Sequence, residues 1–381
     1  MLNRKAHRLY RLQRTVSAVP NKTKTSVCMR GEYMGGSTTG VCLPLKNYGG
    51  KVMKKLTTMV LALVLSVCVF AAGGKDAQGD KPLVLRLADN HPDGYPTVIG
   101  DLEFARLVKE RSNGRIVIEV YNNGVLGDQK SVVEQVQFGG IDFVRTSISS
   151  VAPFYPDIDA LQAPYLFRDA DHMWKVLHGE IGNYFLNSVK TSGFVGLCWF
   201  DAGARSFYNT KKPIYTVADL KGMKIRVQES ALMMGMIQAL GAVPTPMPYG
   251  DVYSALQTGV IDGAENNWPS YDTASHYEVA RYFSIDEHTR VPEMILASKI
   301  TMDKLSAEDQ ALILKAAKDA APVQIKAWAD MEKRSENKVR AAGCKINTIK
   351  NQAEFADAMS SLYNSFPAGQ KEWIKKIQAV K

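Results

Sequence analysis

The chain has 381 residues, with 47 Lys or Arg and 38 Asp or Glu, which gives a formal net charge of +9. Residues 1–52 carry ten Lys or Arg and one Glu, and 53–74 add two lysines, whereas 75–381 contain 35 basic and 37 acidic residues. Because the body of the chain is slightly acidic, the charge does not support a nucleic-acid-binding surface, and we expect no nucleic-acid partner.

Residues 53–74 have the pattern of a secretory signal peptide. Two lysines precede an apolar run over 56–70, which is too short for a comfortable membrane span, and small residues follow. We expect cleavage near Ala71 or Ala72 and a periplasmic or other extracytoplasmic location. Lipid anchoring at Cys68 is the alternative, although the residue before it, Val67, is larger than such a site prefers.

The 52 residues before this pattern are basic and aperiodic. Gly49 and Gly50 stand shortly before Met53, and the codons of a glycine pair at this distance can form a ribosome-binding sequence. We therefore expect translation to start at Met53 and residues 1–52 to be a leader that is absent from the mature protein. A disordered basic tail is the alternative.

Two of the five cysteines, Cys198 and Cys344, follow the signal pattern. Cys198 lies in the apolar run FVGLCWF, which predicts a buried small hydrophobic residue. Their spacing leaves open whether the two pair in an oxidising compartment. The chain has no CxxC or HExxH motif, so we expect neither a metal nor another cofactor.

Predicted strands and helices alternate in the first half of the mature chain. Apolar periodicity and terminal glycines define them. In order they are a strand over 83–89, a helix over 97–114, a strand over 115–121, a helix over 128–140, and strands over 141–147 and 193–200. Strand–helix–strand repetition at this spacing predicts a parallel sheet.

A second set of elements begins after residue 203. It comprises a strand over 224–228, a helix over 231–241, a helical segment over 251–259, the segment VIDGAENN and a strand over 294–300. One long helical pattern then covers 306–343, where Pro322 predicts a kink or break. This helix is longer than one lobe needs, so we expect it to cross both lobes, and further amphipathic helices follow it.

About 300 residues of mixed α/β pattern favour two lobes over one large core. We place lobe I in 82–203 plus 292–330. Lobe II, with the C-terminal helices, is placed in 204–291 plus 331–381. Ligands of open α/β sheets bind at the carboxyl ends of strands, so the cleft between such lobes is the expected site.

Three arginines stand near predicted strand ends. A guanidinium group binds a carboxylate through two parallel hydrogen bonds, so Arg226 in KIRV, Arg205 in GARSFYN and Arg145 after IDFV are candidate anion ligands. Taken singly, such arginines more often pair with a neighbouring carboxylate on the surface. Arg145 in particular has Asp89 and Asp142 as alternative partners.

Ordered segments of the chain resemble the solute-binding receptors of tripartite ATP-independent periplasmic (TRAP) transporters, the DctP-like family. These segments are NGRIVIEVYNNGVLGD, VVEQVQFGGIDF, APYLF, GARSFYNTKKPI, ADLKGMKIRVQES, PTPMPYGDVYSALQTGVIDGAENN and YEVARYFSIDEH. The resemblance runs from about residue 83 to about 370. It implies a periplasmic-binding-protein clamshell of two α/β lobes bridged by a long helix. It also implies a small and a large membrane permease subunit as partners.

The matching motifs of this family imply roles for individual residues. Arg226 would form a salt bridge with the ligand carboxylate, and Arg205 would approach the same ligand. Asn266 of DG-x-EN and Gln129 after LGD would contact the ligand. Tyr249, which precedes a helix, would close over it.

Departures from the family pattern indicate the type of acid. Sialic-acid receptors have a glutamate after the IDF strand, whereas this chain has VRTSISS. With Arg145 as a third candidate cation, the chain resembles the branch that binds sugar acids, especially hexuronates such as glucuronate or galacturonate. The candidate partners of the ligand hydroxyls are Asn90, His91, Gln129, Ser147 and Asn266.

Other functions stay open at this point. A receptor of the same type for a C4-dicarboxylate, a keto acid or sialic acid is one alternative, and a sensory ligand-binding module is another. A secreted enzyme would use Glu265 or Asp262 as an acid–base pair near Asn266, but no nucleophile–base–orienter set accompanies them. We therefore expect a binding protein that closes around a small organic acid rather than an enzyme.

Overall fold

A computed structural model describes residues 26–32, 38–44 and 81–381. Inside the expected leader, strands β1 (Ser26–Glu32) and β2 (Thr38–Pro44) pair as an antiparallel hairpin, which the sequence analysis did not predict. The signal-peptide pattern over 53–74, including Cys68, lies outside the described residues.

Residues 81–381 alternate between strands and helices. The strands are β3 (Leu83–Ala88), β4 (Ile116–Tyr121), β5 (Phe143–Ser147), β6 (Phe194–Phe200), β7 (Ala204–Asn209), β8 (Lys224–Val227), β9 (Val243–Pro246), β10 (Gly263–Asn266), β11 (Tyr282–Arg290), β12 (Glu293–Ser298) and β13 (Lys345–Thr348). The helices are α1 (Pro96–Arg111), α2 (Gln129–Gln137), α3 (Ile148–Val151), α4 (Ala170–His178), α5 (Glu180–Ser188), α6 (Ala231–Ala239), α7 (Val252–Thr258), α8 (Trp268–Thr273), α9 (His276–Val279), α10 (Lys299–Met302), α11 (Ala307–Ala341), α12 (Gln352–Ala358), α13 (Ser360–Ser365) and α14 (Ala368–Ala379).

The first lobe is built on a five-stranded sheet in the order β4-β3-β5-β12-β6. Strand β3 pairs in parallel with β4 and β5, as the strand–helix–strand pattern predicts. Strand β12 pairs antiparallel with both β5 and β6, so the sheet is mixed rather than fully parallel. The reason is the chain path, because β12 enters this sheet directly from the second lobe, after β11.

The second lobe is built on a six-stranded sheet in the order β13-β11-β7-β10-β8-β9. Strands β9, β8 and β10 run parallel to one another, whereas β7 is antiparallel to its neighbours β10 and β11. The sequence analysis missed β7, β9, β11 and β13. Because β7 contains Arg205, this residue lies inside a strand rather than in a loop after one. The adjacent parallel strands β8 and β10 carry Arg226 and Asn266, which places both residues near the carboxyl ends of these strands.

Helix α11 extends through both lobes, as expected. It begins after Ser306, whose side chain accepts a hydrogen bond from the backbone N–H of Asp309. Ala316 near its start packs in a core of the first lobe, and Val339 near its end packs in a core of the second. Of the kink or break predicted at Pro322, the break is wrong, because the helix is continuous over 35 residues, and the kink stays a prediction. A proline removes one intrahelical hydrogen bond, and the packing along both lobes maintains the helix around it.

The last helix, α14, packs against the first lobe. Ile374 and Ile377 lie in the core beneath the first sheet, and Nε2 of Gln370 donates to the carbonyl of Pro156 at 2.8 Å. The prediction grouped all of 331–381 with lobe II, which is wrong for this helix. Its apolar face covers the core of lobe I, a contact that depends on packing rather than on position in the sequence.

Cys198 and Cys344 are both free, and Cys198 is buried in β6. They lie in different lobes, which separates them. Among residues 81–381, His, Cys, Asp and Glu form no group suited to a metal ion. Within the described part of the chain, no helix combines the length and the apolar character that crossing a membrane requires.

Candidate functional site

A cavity of about 380 Å³ lies between the two lobes. Its walls include loops that follow β3 and β10 and the N-terminal end of α2, consistent with ligand binding at strand carboxyl ends. Most of the predicted site residues line it: Asn90, His91, Gln129, Arg205, Arg226, Tyr249 and Asn266. Two others, Arg145 and Ser147, do not.

Arg226 carries the positive charge that faces this cavity without a carboxylate partner. The residue is 3% exposed, and its Nε and Nη2 donate to the carbonyl of Met247 at 3.0 and 2.7 Å. No Asp or Glu of residues 81–381 forms an ion pair with it. Burial lowers the pKa of Arg226 from its usual value, but an arginine starts so high that it stays protonated.

Arg205 also lines the cavity, but its charge is compensated. Its Nε and Nη2 donate to the carboxylate of Glu265 at 2.5 and 2.9 Å, and its Nη1 donates to Oδ1 of Asn266 at 2.9 Å. Burial alone would raise the pKa of Glu265, but the charge of Arg205 lowers it to about 2. Arg205 therefore orients Asn266 and leaves Arg226 as the uncompensated cation of this wall.

A buried histidine supports the Arg205–Glu265 pair from behind. His288 contacts Oδ2 of Asp286 through Nδ1 at 3.0 Å and Oε2 of Glu265 through Nε2 at 3.3 Å. Burial would lower the pKa of His288, but the charge of Asp286 raises it to about 9. Asp286, His288, Glu265 and Arg205 thus form a chain of alternating charges that is neutral in sum.

Arg145 lies beneath the opposite wall rather than in it. The side chain is completely buried and bonds to Asp89 and Glu293, and its Nη2 donates to Oδ1 of Asn90 at 2.5 Å. Its alternative role, pairing with Asp89, is the one found, whereas Asp142 accepts from other groups. We correct the assignment of Arg145 as a ligand contact, because its charge is already shared by two carboxylates and it holds Asn90 in the wall.

Ser147 is also removed from the candidate set. Its Oγ accepts a weak hydrogen bond from the backbone N–H of Ser149 at 3.3 Å and caps α3. The serine that lines the cavity is Ser150, whose Oγ donates to Oε1 of Gln129 at 3.0 Å. Nε2 of Gln129 in turn donates to Oδ1 of Asn90 at 2.8 Å, so these polar groups form one connected wall.

Aromatic contacts join the two lobes around the cavity. The ring of His91 stacks on Tyr95 with centroids 3.8 Å apart and meets the edge of Tyr249 at 5.5 Å. The hydroxyl of Tyr95 lies 2.8 Å from Oγ of Ser270 in the second lobe, and the hydroxyl of Tyr249 donates to the carbonyl of the same serine at 3.1 Å. These contacts between the lobes indicate that the structure is in a closed form. Burial lowers the pKa of His91, so its ring is neutral near pH 7.

Glu265 and Asp262 do not form an acid–base pair facing the cavity. Glu265 is fully buried in its pair with Arg205, and the side chain of Asp262 accepts from the backbone N–H of Lys224 at 2.9 Å. Neither residue lines the cavity. The two carboxylates therefore offer no proton-transfer pair to a molecule in the cavity.

The sequence analysis missed some of the cavity residues. Glu293, the first residue of β12, lines the cavity and is 7% exposed. At the rim, Nζ of Lys130 and Oε1 of Glu229 face each other across the lobes at 3.7 Å. The signal available for Glu293 was its position at the start of a strand, directly after residue 292, where the chain was expected to return to lobe I. No sequence pattern pointed to the rim pair.

Known proteins resemble this chain in sequence and fold. The sequence model of DctP, bacterial extracellular solute-binding protein, family 7, matches residues 87–370. A TRAP periplasmic solute-binding protein from Bradyrhizobium sp. BTAi1, in complex with α/β-D-galacturonate, is 46% identical with a TM-score of 0.76, covering 77% of this chain and 99% of that one. Another from Roseobacter denitrificans, with bound β-D-glucuronate, is 38% identical with a TM-score of 0.76, covering 78% and 100%.

A curated relative leads to the same group. A solute-binding protein of Chromohalobacter salexigens is 38% identical over 316 residues, which are 83% of this chain and 93% of that protein. Together these similarities confirm the expected clamshell of two α/β lobes and the resemblance to TRAP receptors, a class of transport binding proteins rather than of enzymes. The chain belongs to the bacterial extracellular solute-binding proteins, family 7.

Proposed function

We propose that this chain is the extracytoplasmic receptor of a TRAP-type secondary transporter and that it binds a hexuronate, such as D-galacturonate or D-glucuronate, without converting it. The observation that carries the proposal is Arg226. It is a buried guanidinium without a carboxylate partner in residues 81–381, and it stands in the wall of a cavity between two lobes.

An unpaired buried charge is costly, so a protein that keeps one gains by offering it to a ligand of opposite charge. The Nε and Nη2 of Arg226 are fixed on the carbonyl of Met247, which holds the guanidinium plane in place before a ligand arrives. A carboxylate that meets this preorganised group forms a charge-assisted hydrogen bond shielded from water. Lysine offers no such planar donor set.

The remaining cavity groups suit the hydroxyls of a sugar acid. Asn90, Gln129 and Asn266 provide amide groups, and the neutral ring of His91 and the ring of Tyr249 provide faces for a sugar ring. The cavity, about 380 Å³, is near the lower end of the range for small-molecule sites. Relatives that are 38% and 46% identical hold hexuronates, which supports the same ligand class here.

We extend the proposal to location and partners. The pattern over 53–74 would direct export, after which the closed, ligand-bound receptor would dock on a small and a large membrane permease subunit. Closure gives those subunits a surface that only the loaded receptor presents, because the open form separates the two lobes.

A thermal-shift panel followed by calorimetry tests the ligand. The purified protein is heated with D-galacturonate, D-glucuronate, succinate, pyruvate or sialic acid. A ligand at 100 times its dissociation constant stabilises the native state by about 2.7 kcal/mol, which raises the melting temperature by several degrees. We expect this shift with at least one hexuronate. A shift with succinate, pyruvate or sialic acid and none with either hexuronate would assign a different ligand.

A further inference from the structure

Glu293 is the buried acidic residue of the cavity wall, and the proposed function does not yet use it; the other acidic lining residues, Asp128, Glu229 and Asp251, are more exposed. It begins β12 at the point where the chain returns to the first lobe, and it pairs in register with Ser147 on one side and Phe200 on the other. Its side chain is 9% exposed and lines the cavity. Only Oε2 is engaged, by Nη1 of Arg145, and Oε1 accepts no hydrogen bond within residues 81–381.

The cluster that holds Glu293 has one negative charge in excess. Arg145 is bonded to two carboxylates, those of Asp89 and Glu293, and nothing else in this cluster is positive, because burial lowers the pKa of His91. Burial would raise the pKa of Asp89, but the charge of Arg145 lowers it well below its usual range. Burial raises the pKa of the neighbouring Asp101 well above its usual range, which favours its uncharged form.

The buried charged groups of the opposite wall have the reverse sign. Arg226 supplies one uncompensated positive charge, while Arg205 and Glu265 neutralise each other. Among the buried charged groups of the cavity wall, the uncompensated charge of the second lobe is therefore positive, and that of the first lobe is negative. A molecule with one carboxylate and several hydroxyls matches both walls if its acid group contacts Arg226 and its hydroxyls face Glu293.

We propose that Oε1 of Glu293 accepts a hydrogen bond from a ligand hydroxyl and makes the site selective for acids with a single carboxylate. The inference rests on the proposed function and goes beyond it by naming the residue that rejects a second carboxylate. A carboxylate at that end of the ligand would face the glutamate and would lack a donor there. Like charges brought together in a water-excluded cavity cost several kcal/mol, whereas a hydroxyl donating to a carboxylate forms a strong hydrogen bond.

The test compares ligands that differ in charge but not in size. Calorimetry measures the binding of D-galacturonate, of galactarate with its two carboxylates, and of the monoamide of galactarate with one. The proteins are the wild type, Glu293→Gln and the control Glu110→Gln, which makes the same chemical change on an exposed helix face. The wild type should bind the monoamide about 100-fold more tightly than galactarate, as the cost of like charges requires. Glu293→Gln should reduce that ratio at least tenfold, and Glu110→Gln should leave it unchanged.

Each outcome decides the inference. If the wild type binds galactarate and its monoamide equally, or fails to bind either, the selectivity depends on shape and the proposed role of Glu293 is overturned. This comparison uses the wild type alone, so it holds whether or not the variant folds. An unchanged ratio in a folded Glu293→Gln would do the same. If hexuronates bind in those cases, the proposed function stands without the inference. Absence of binding by every hexuronate would remove the proposed function and the inference together.

Discussion

Replacement of Arg226 by alanine separates ligand binding from fold stability. The residue is 3% exposed, and the hydrogen bonds of its side chain within residues 81–381 go to the carbonyl of Met247. Truncation therefore removes the proposed partner of the ligand carboxylate, but it leaves no protein carboxylate buried and unpaired. The effect should appear in affinity far more than in folding.

The expected loss of affinity follows from the type of contact. Removing one partner of a buried, hydrogen-bonded charge pair costs about 2–5 kcal/mol, which corresponds to about a 30- to 4,000-fold weaker dissociation constant, since each 1.4 kcal/mol is about tenfold. The stability of the ligand-free protein should change by about 2 kcal/mol or less, because the lost hydrogen bonds to one carbonyl are offset by removal of an uncompensated buried charge.

The assay measures both quantities on the same preparations. Calorimetry with D-galacturonate and D-glucuronate gives the affinity, and urea unfolding without ligand gives the stability. Arg226→Lys should also bind more weakly, because a point charge does not reproduce the planar donor set. Arg205→Ala is the contrasting variant. It deprives the buried Glu265 of its main partner, so it should lower the free energy of unfolding by about 3 kcal/mol.

Two results would refute the reasoning. Unchanged affinity in Arg226→Ala would show that the ligand carboxylate lies elsewhere. A large loss of stability in Arg226→Ala, equal to that of Arg205→Ala, would show that Arg226 supports the fold rather than waiting for a ligand.

Three further predictions concern the buried network and the packing. Arg145→Met leaves two buried carboxylates unpaired and should lower the free energy of unfolding by about 3–5 kcal/mol in urea; unchanged stability would contradict the pairing. The pKa of His288 is raised from 6.5 to about 9, so its stabilising contribution is complete below pH 6.5 and is lost as the pH rises through 9. The urea midpoint should therefore fall over this range, and more steeply than in His288→Gln. In Gly100→Ala the new Cβ would lie 2.6 Å from Phe200, which should cost about 1–3 kcal/mol, whereas Gly369→Ala meets open space and should be tolerated.

Local patterns predicted the elements whose signal lies within them. Helix α1 over Pro96–Arg111 and strand β4 over Ile116–Tyr121 are close to the expected ranges, because apolar periodicity and terminal glycines act over a few residues. Strand β9, Val243–Pro246, was missed because it contains two prolines and little apolar alternation. The long helix was correctly predicted, but the break at Pro322 was not found, because tertiary packing outweighed the local effect of proline.

The site shows the same division between local and long-range information. Motif positions placed Arg226, Asn266 and Gln129 at the cavity without any knowledge of their neighbours. The pairing of Arg145 with Glu293 was not predictable in this way, because the two residues are 148 positions apart and meet only after β12 inserts beside β5.

The sequence by itself determined the α/β class, the two-lobed clamshell, the family and the arginine that faces the cavity, because each depends on residue types at short spacing or on an ordered set of motifs. Only the tertiary structure decided which arginine is uncompensated. Arg205 and Arg226 carry the same charge, and the strand register that brings Glu265 to one and only a backbone carbonyl to the other separates their roles. A charge acts on a ligand only to the extent that its neighbours leave it unpaired, and neighbours are a property of the folded chain.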